Sequence, residues 1–136
     1  MVFAGPNYLA IVVAAVAGWI VGAVWYGVLF GKPWRDANNI VPDKSQVTPL
    51  PFILAFVAQL VMAWMLAGVL GHLGPGQVTI RNGVISAVFL WFGFVFTTLA
   101  VNNMFAGRKP ILLLIDGGHW LAVMVVLGAV IGAFGT

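Results

Sequence analysis

Four long apolar runs divide the chain, at about residues 8–30, 50–71, 83–105 and 111–134. The connectors "GKPWRDANNIVPDKSQVTP", "HLGPGQVTIRN" and "AGRKP" hold the glycine, proline and polar residues that end helices. At about 1.5 Å of rise per residue, each run is long enough to cross a bilayer core of about 30 Å. None shows the short, ten-residue alternation of a membrane barrel, so only helices satisfy the backbone in lipid. The pattern predicts an all-α, integral-membrane four-helix bundle forming one domain, 1–136, built from two helical hairpins.

Composition removes the soluble alternative. Of the 136 residues, 62% are hydrophobic and 7% charged, with a mean hydropathy of +1.10. Such a chain cannot cover a water-facing surface, and its solvent is the lipid bilayer. Six basic against three acidic residues give +3, but they are spread over several segments and make no nucleic-acid patch. They read instead as topology signals. Lys32, Arg35, Lys44, Arg108 and Lys109 fall in loops 31–49 and 106–110, whereas Arg81 and the α-amino group are on the other side. The positive-inside rule places those two loops in the cytoplasm and both termini outside, with Ser45 inside and Thr136 outside. "MVFAGPN" lacks a basic leader, and the apolar run continues past Ala15 and Ala17, so a cleaved signal peptide is not expected. The chain has no cysteine, which excludes disulfides and thiolate ligation.

Internal similarity accompanies the two-hairpin pattern. A shift of 61 lays "LAGVLGHLG" (66–74) on "LGAVIGAFG" (127–135) and Pro49 on Pro110; a shift of 75 pairs Asn7 with Asn82, Gly18 with Gly93 and Phe30 with Phe105. Chance identity in apolar sequence and duplication both produce such matches. Duplication predicts parallel hairpins related by an axis along the membrane normal.

Small residues supply the packing surfaces that lipid-embedded helices need. Ala10, Ala14, Gly18 and Gly22 form one stripe, and Ala55, Gln59, Ala63, Ala67 and Gly71 a second with an amide inside it. Gly128 and Gly132 mark the fourth helix. In the third, Asn82, Ser86, Thr98 and Asn102 share an i, i+4 line. Trp25, Tyr26 and Trp34 suit a cytoplasmic aromatic belt. Trp19, Trp64, Trp91 and Trp120 lie deeper and suit packing or lipid contact.

"LLLIDGGHWLAVM" (112–124) is the exception to this apolar picture. Asp116 and His119, at i, i+3, share a helix face about 9 and 14 Å past Pro110. Charge at that depth costs several kcal/mol without a partner or water. Gln59, Asn102, Asn103 and Tyr26 reach the same cytoplasmic half. The pair is either a register-fixing buried contact or a site: a proton relay, or a binding site for a small polar or cationic solute. On the second reading Asp116 and His119 bind or relay, supported by Gln59, Asn102 and Tyr26. No metal site is expected from one histidine and one carboxylate, no cofactor is implied, and no nucleophile stands by for hydrolysis. His72 lies near the opposite face, which excludes paired haem ligation.

The stretches "NYLAIVVAAVAG", "GAVWYGVLFGKPW" and "LIDGGHW" resemble the bacterial membrane family catalogued as domain of unknown function 1761. The likeness spans nearly the whole chain. It rests on Gly22, Trp25, Tyr26, Gly27, Phe30, Gly31, Lys32 and Trp34, and on Asp116, Gly117, Gly118, His119 and Trp120. It implies four spanning helices and assigns no activity. The linker, with Asn38, Asn39 and its prolines, departs from the more Lys/Glu-rich linkers of that family. The expectation is a multi-pass protein of a bacterial cytoplasmic membrane. Its leading function is that of a small homo-oligomeric transport or channel-type protein. The rivals are an assembly partner of a larger membrane complex and an enzyme acting on a lipid-soluble substrate.

Overall fold

The computed structural model describes residues 5–40 and 48–135. Lys44, Ser45, most of the second half of the 31–49 loop and Thr136 lie outside the described residues. The architecture is all-α, with four helices long and apolar enough to span a membrane: Tyr8–Leu29, Leu50–His72, Ile80–Phe105 and Pro110–Phe134.

The first and third spans start at a capping side chain and the second and fourth at prolines. Helix α1 (Tyr8–Val24) begins at Asn7, whose Oδ1 accepts from the Ala10 amide at 3.1 Å. Helix α2 (Gly31–Ala37) is a short helix in the loop after the first span that the apolar pattern does not reveal. Helix α3 (Leu50–His72) follows Pro49 and carries Pro51 in its first turn. Thr79 caps α4 (Ile80–Leu90) through the Asn82 amide at 3.1 Å. That cap starts the third span three residues before the expected Gly83 and leaves Arg81 exposed at its end. Helices α5 (Thr97–Phe105) and α6 (Pro110–Phe134) are joined by a tight turn in which Gly107 takes φ 66°.

Two spans are not uniform α-helix. The first closes with a π-helical segment, Trp25–Leu29, in which the Phe30 amide reaches back to the Trp25 carbonyl at 2.7 Å. The third contains another, Trp91–Phe96, between α4 and α5. A π turn holds an extra residue, so it rotates everything beyond it relative to a 3.6-residue period. The inward face of the third span therefore runs Gly83, Ala87, Trp91, and then Phe96 and Asn103. The Asn82–Ser86–Thr98–Asn102 line does not form an interior face: Thr98 and Asn102 are exposed, and Thr98 Oγ1 bonds its own Phe94 carbonyl.

Helix α6 is the centre of the bundle, packed between α1 and α4, with α3 behind α1. Its contact with α4 is backbone on backbone. A Cβ on Gly83 would overlap the Gly128 carbonyl, one on Gly128 would overlap that of Gly83, and one on Gly132 would meet the Thr79 carbonyl. Close approach of this kind replaces the hydrophobic drive that lipid removes. Ala10, Ala14, Gly18, Gln59, Ala63, Ala67 and Gly71 are also buried, so two further expected stripes face the interior. Phe89, Phe92, Phe94, Met104 and Phe105 cover the outer face of the third span.

Candidate functional site

The two family-bearing motifs, about ninety residues apart, pack directly on one another. Trp25, opening the first π segment, donates its indole N–H to the Ile115 carbonyl at 3.0 Å. Trp91, opening the second, donates to the Gly117 carbonyl at 2.9 Å. These bonds bracket Asp116 from opposite sides of α6. Gly118 leaves room for the Trp25 ring, since a Cβ there would lie 3.0 Å from it, and Gly117 faces Phe96. Gly31 tucks beneath the Tyr26 carbonyl, too close for any side chain.

Asp116 has both oxygens engaged. Tyr26 Oη donates to Oδ1 at 2.5 Å, and the Arg108 guanidinium stands 3.5 Å from Oδ2. Arg108 in turn donates to Asn103 Oδ1 at 3.1 Å and to Asn38 Oδ1 at 3.3 Å. Asn38 Nδ2 donates to the Trp34 carbonyl at 2.9 Å. The network thus ties the first span, α2, the end of the third span and α6 into one polar junction. Its ion pair is partly shielded, with side chains 13% exposed for Asp116 and 30% for Arg108. A carboxylate within a membrane-length apolar helix needs partners of this kind.

His119, one turn deeper, belongs to different surroundings. It is 6% exposed, and its ring lies against Tyr26 (centroids 4.9 Å apart) and Trp120 (4.6 Å). Nε2 would stand 3.0 Å from a Cβ on Gly22, while Nδ1 is buried with no hydrogen-bond partner. Gln59, 1% exposed, likewise has a buried Oε1 without a partner, pressed against Gly18. Both residues line a cavity of about 860 Å³ between the first span, α2, α3 and α6. Its remaining wall is largely aromatic and apolar, with Trp19, Tyr26, Trp34, Phe52 and Trp120, and Arg35 at the α2 end. A second, wholly apolar groove of about 650 Å³ adjoins it across Trp19 and Phe52, where the Trp19 indole donates to the Phe52 carbonyl at 3.2 Å.

Charge at the α2 end is uneven. Lys32 and Asp36 pair at 2.8 Å. The Lys32 hydrogen bond, reinforced by the Lys32 and Arg35 charges, holds the Asp36 carboxyl below the usual carboxylate range. Arg35 makes no ion pair among the described residues.

Of the five residues expected to form a site, the structure brings together Tyr26 and Asp116 by a hydrogen bond, and His119 and Gln59 as lining of one cavity. Asn102 stands apart, exposed; the π segment turns its neighbour Asn103 inward instead. Trp25 and Tyr26 point into the bundle as donors to α6 and its side chains, not outward as belt residues. Arg108, Asn103 and Asn38 are additions. The available signal for Arg108 was a cation just ahead of a helix holding an intramembrane carboxylate. No group of three or more His, Cys, Asp or Glu side chains able to hold a metal occurs among the described residues.

A family model described as "Protein of unknown function (DUF1761)" matches residues 9–132. No curated protein and no solved structure matches the chain.

Proposed function

The chain belongs to the DUF1761 family of proteins of unknown function, and within that family we propose a small transport-type protein that takes a solute into the cavity beside His119 and Gln59. One observation carries the reading. Two polar side chains, His119 and Gln59, each almost completely buried, line an otherwise largely apolar cavity of the volume small-molecule sites have. Such residues offer a solute hydrogen-bond partners in an otherwise apolar wall, and each bond so formed is worth about 0.5–1.5 kcal/mol net. Asp116 then acts as organiser, not ligand: Tyr26 and Arg108 occupy its oxygens, which argues against a cation as the solute. His119 and Gln59 contact the solute, and Tyr26 links the cavity wall to the Asp116 network.

The setting we propose is a bacterial cytoplasmic membrane, with loops 31–49 and 106–110 inside, both termini outside, and the whole chain one domain. A homo-oligomer belongs to this reading because four helices alone enclose little space, and an assembly partner of a larger membrane complex is the rival reading. The two hairpins are read as duplicated units; superposition with Pro49 on Pro110 and Gly71 on Gly132 at common depth is the test.

Native mass spectrometry of protein extracted gently from its own membrane tests the site. The parent and Val28→Trp, altered on an exposed face away from the cavity, should carry the same small molecule, and Ala55→Trp, filling the cavity, should lose it. An empty parent, or the same occupant in Ala55→Trp, overturns the proposal.

A further inference from the structure

The cavity's polar lining comes from four elements, Gln59 on α3, His119 on α6, Tyr26 on the first span and Arg35 on α2, set in an otherwise aromatic and apolar wall, and that combination points to a ligand class. Gln59 is ten residues past Pro49 and His119 nine past Pro110, which places each about 14–15 Å along its helix. Arg35 lines the same cavity from α2, just beyond the first span. With Lys32 and Asp36 paired to each other and Arg108 paired to Asp116, Arg35 is the lining cation that makes no ion pair among the described residues. Trp19, Phe52 and Trp120 supply apolar wall, and Trp19 and Phe52, hydrogen-bonded to each other, divide the cavity from the adjoining apolar groove.

Building on the solute-binding reading, we propose that the ligand is a single-chain amphiphile with an anionic head, carboxylate or phosphate, and a hydrogen-bonding group such as a hydroxyl at its far end. The head pairs with Arg35, the apolar body lies along Trp19 and Phe52, and the far group meets His119 and Gln59. Entry is lateral, through the groove, because its lining residues Val16, Trp19, Pro49, Phe52, Ile53 and Phe56 offer a lipid-soluble body no polar barrier. A cationic head is disfavoured by Arg35. A plain hydrocarbon end forgoes the hydrogen bonds that His119 and Gln59 offer from the cavity wall.

The test is thermal stabilisation of the detergent-solubilised full chain, titrated with four probes of matched length. These are an ω-hydroxy alkanoate, the unsubstituted alkanoate, an ω-hydroxy alkyl phosphate, and an ω-hydroxy alkyl trimethylammonium. A ligand that binds only the folded state raises Tm with concentration. The two ω-hydroxy anions should bind about ten-fold tighter than the ammonium probe and about ten-fold tighter than the unsubstituted acid. Arg35→Gln should remove the preference for anions while sparing that for the hydroxyl, and Gln59→Leu should do the reverse. Free acetate, free phosphate and a diacyl phospholipid serve as source controls: stabilisation by the free ions equal to that by the amphiphiles would rule out the apolar body. Stabilisation by the diacyl lipid equal to that by the ω-hydroxy anions would instead identify the occupant as resident bilayer lipid, overturning the single-chain assignment. Binding that is blocked by Ala55→Trp but shows no head-group preference, or none that depends on Arg35, sinks the ligand class and leaves the cavity as a site. Binding of every probe unchanged in Ala55→Trp removes the site itself.

Discussion

Tyr26 and Asp116 meet at 2.5 Å across the interface between the first and fourth spans. The bond closes a junction whose other half is the Arg108 guanidinium, delivered from the turn between the third and fourth spans. One carboxylate therefore holds both hairpins in register. Its removal should be felt as stability before it is felt as anything else.

Asp116→Leu strips the acceptor from Tyr26 and the counter-charge from Arg108, and should destabilise the bundle by about 2–3 kcal/mol. Asp116→Asn keeps an acceptor for Tyr26 and gives up only the ion pair, which is partly screened, so a loss of about 1 kcal/mol is expected. Adding Arg108→Leu to Asp116→Leu should recover part of the deficit, because no charge is then left unpaired. Unfolding in mixed micelles measures all three. A Leu variant as stable as the parent would show that the junction holds nothing together.

The spans were legible in the sequence because hydropathy acts over twenty residues and tolerates local irregularity. The site was only half legible. Asp116, His119, Gln59 and Tyr26 stand out as polar residues in hydrocarbon, but the Asn102 expectation assumed an unbroken 3.6-residue period. The π segment Trp91–Phe96 inserts one residue and presents Asn103 in its place, and nothing in "WFGFVF" announces that turn. Arg108 was read only as a topology charge because its reach to Asp116 depends on how the turn folds back. The cavity was invisible for a similar reason: it is a space left by Gly22 and Ala23 on α1 and Ala55 on α3.

Backbone-to-backbone contact makes Gly83 intolerant. A Cβ there overlaps the Gly128 carbonyl, so Gly83→Val must separate α4 from α6, at about 3 kcal/mol or more. Gly93, by contrast, has nothing within 4 Å of an added Cβ, and Gly93→Ala should change stability by no more than about 0.5 kcal/mol. The pair of Tm values distinguishes packing glycines from incidental ones. Equal tolerance at both positions would contradict the close α4–α6 approach.

Orientation can be read in this cysteine-free chain by single introduced cysteines. Lys109→Cys, in the turn before α6, should react with a membrane-impermeant thiol reagent only after the cytoplasmic face is opened. Gln77→Cys, in the turn after α3, should react in intact cells or spheroplasts. The expectation rests on Lys32, Arg35, Lys44, Arg108 and Lys109 outweighing Arg81. Both positions labelling from one side would break the four-span arrangement, and an inverted pattern would reverse the assigned sidedness.

His119 separates a structural from a functional reading of the cavity. A buried imidazole with an unpartnered Nδ1 is a poor stabiliser, and an apolar side chain of similar volume removes the unsatisfied atom while keeping contact with Tyr26 and Trp120. His119→Leu should therefore leave Tm unchanged or raise it by a few degrees, since the Tyr26–Asp116–Arg108 junction does not depend on the imidazole. Binding of a solute in the cavity should fall by about ten-fold or more, as the lost hydrogen bond has no substitute. Stability retained against binding lost is the signature of a residue kept for what it contacts, because proteins hold unsatisfied buried groups chiefly where function needs them. A variant that loses stability and binding together would instead assign His119 to the fabric of the bundle, and one that loses neither would remove it from the site.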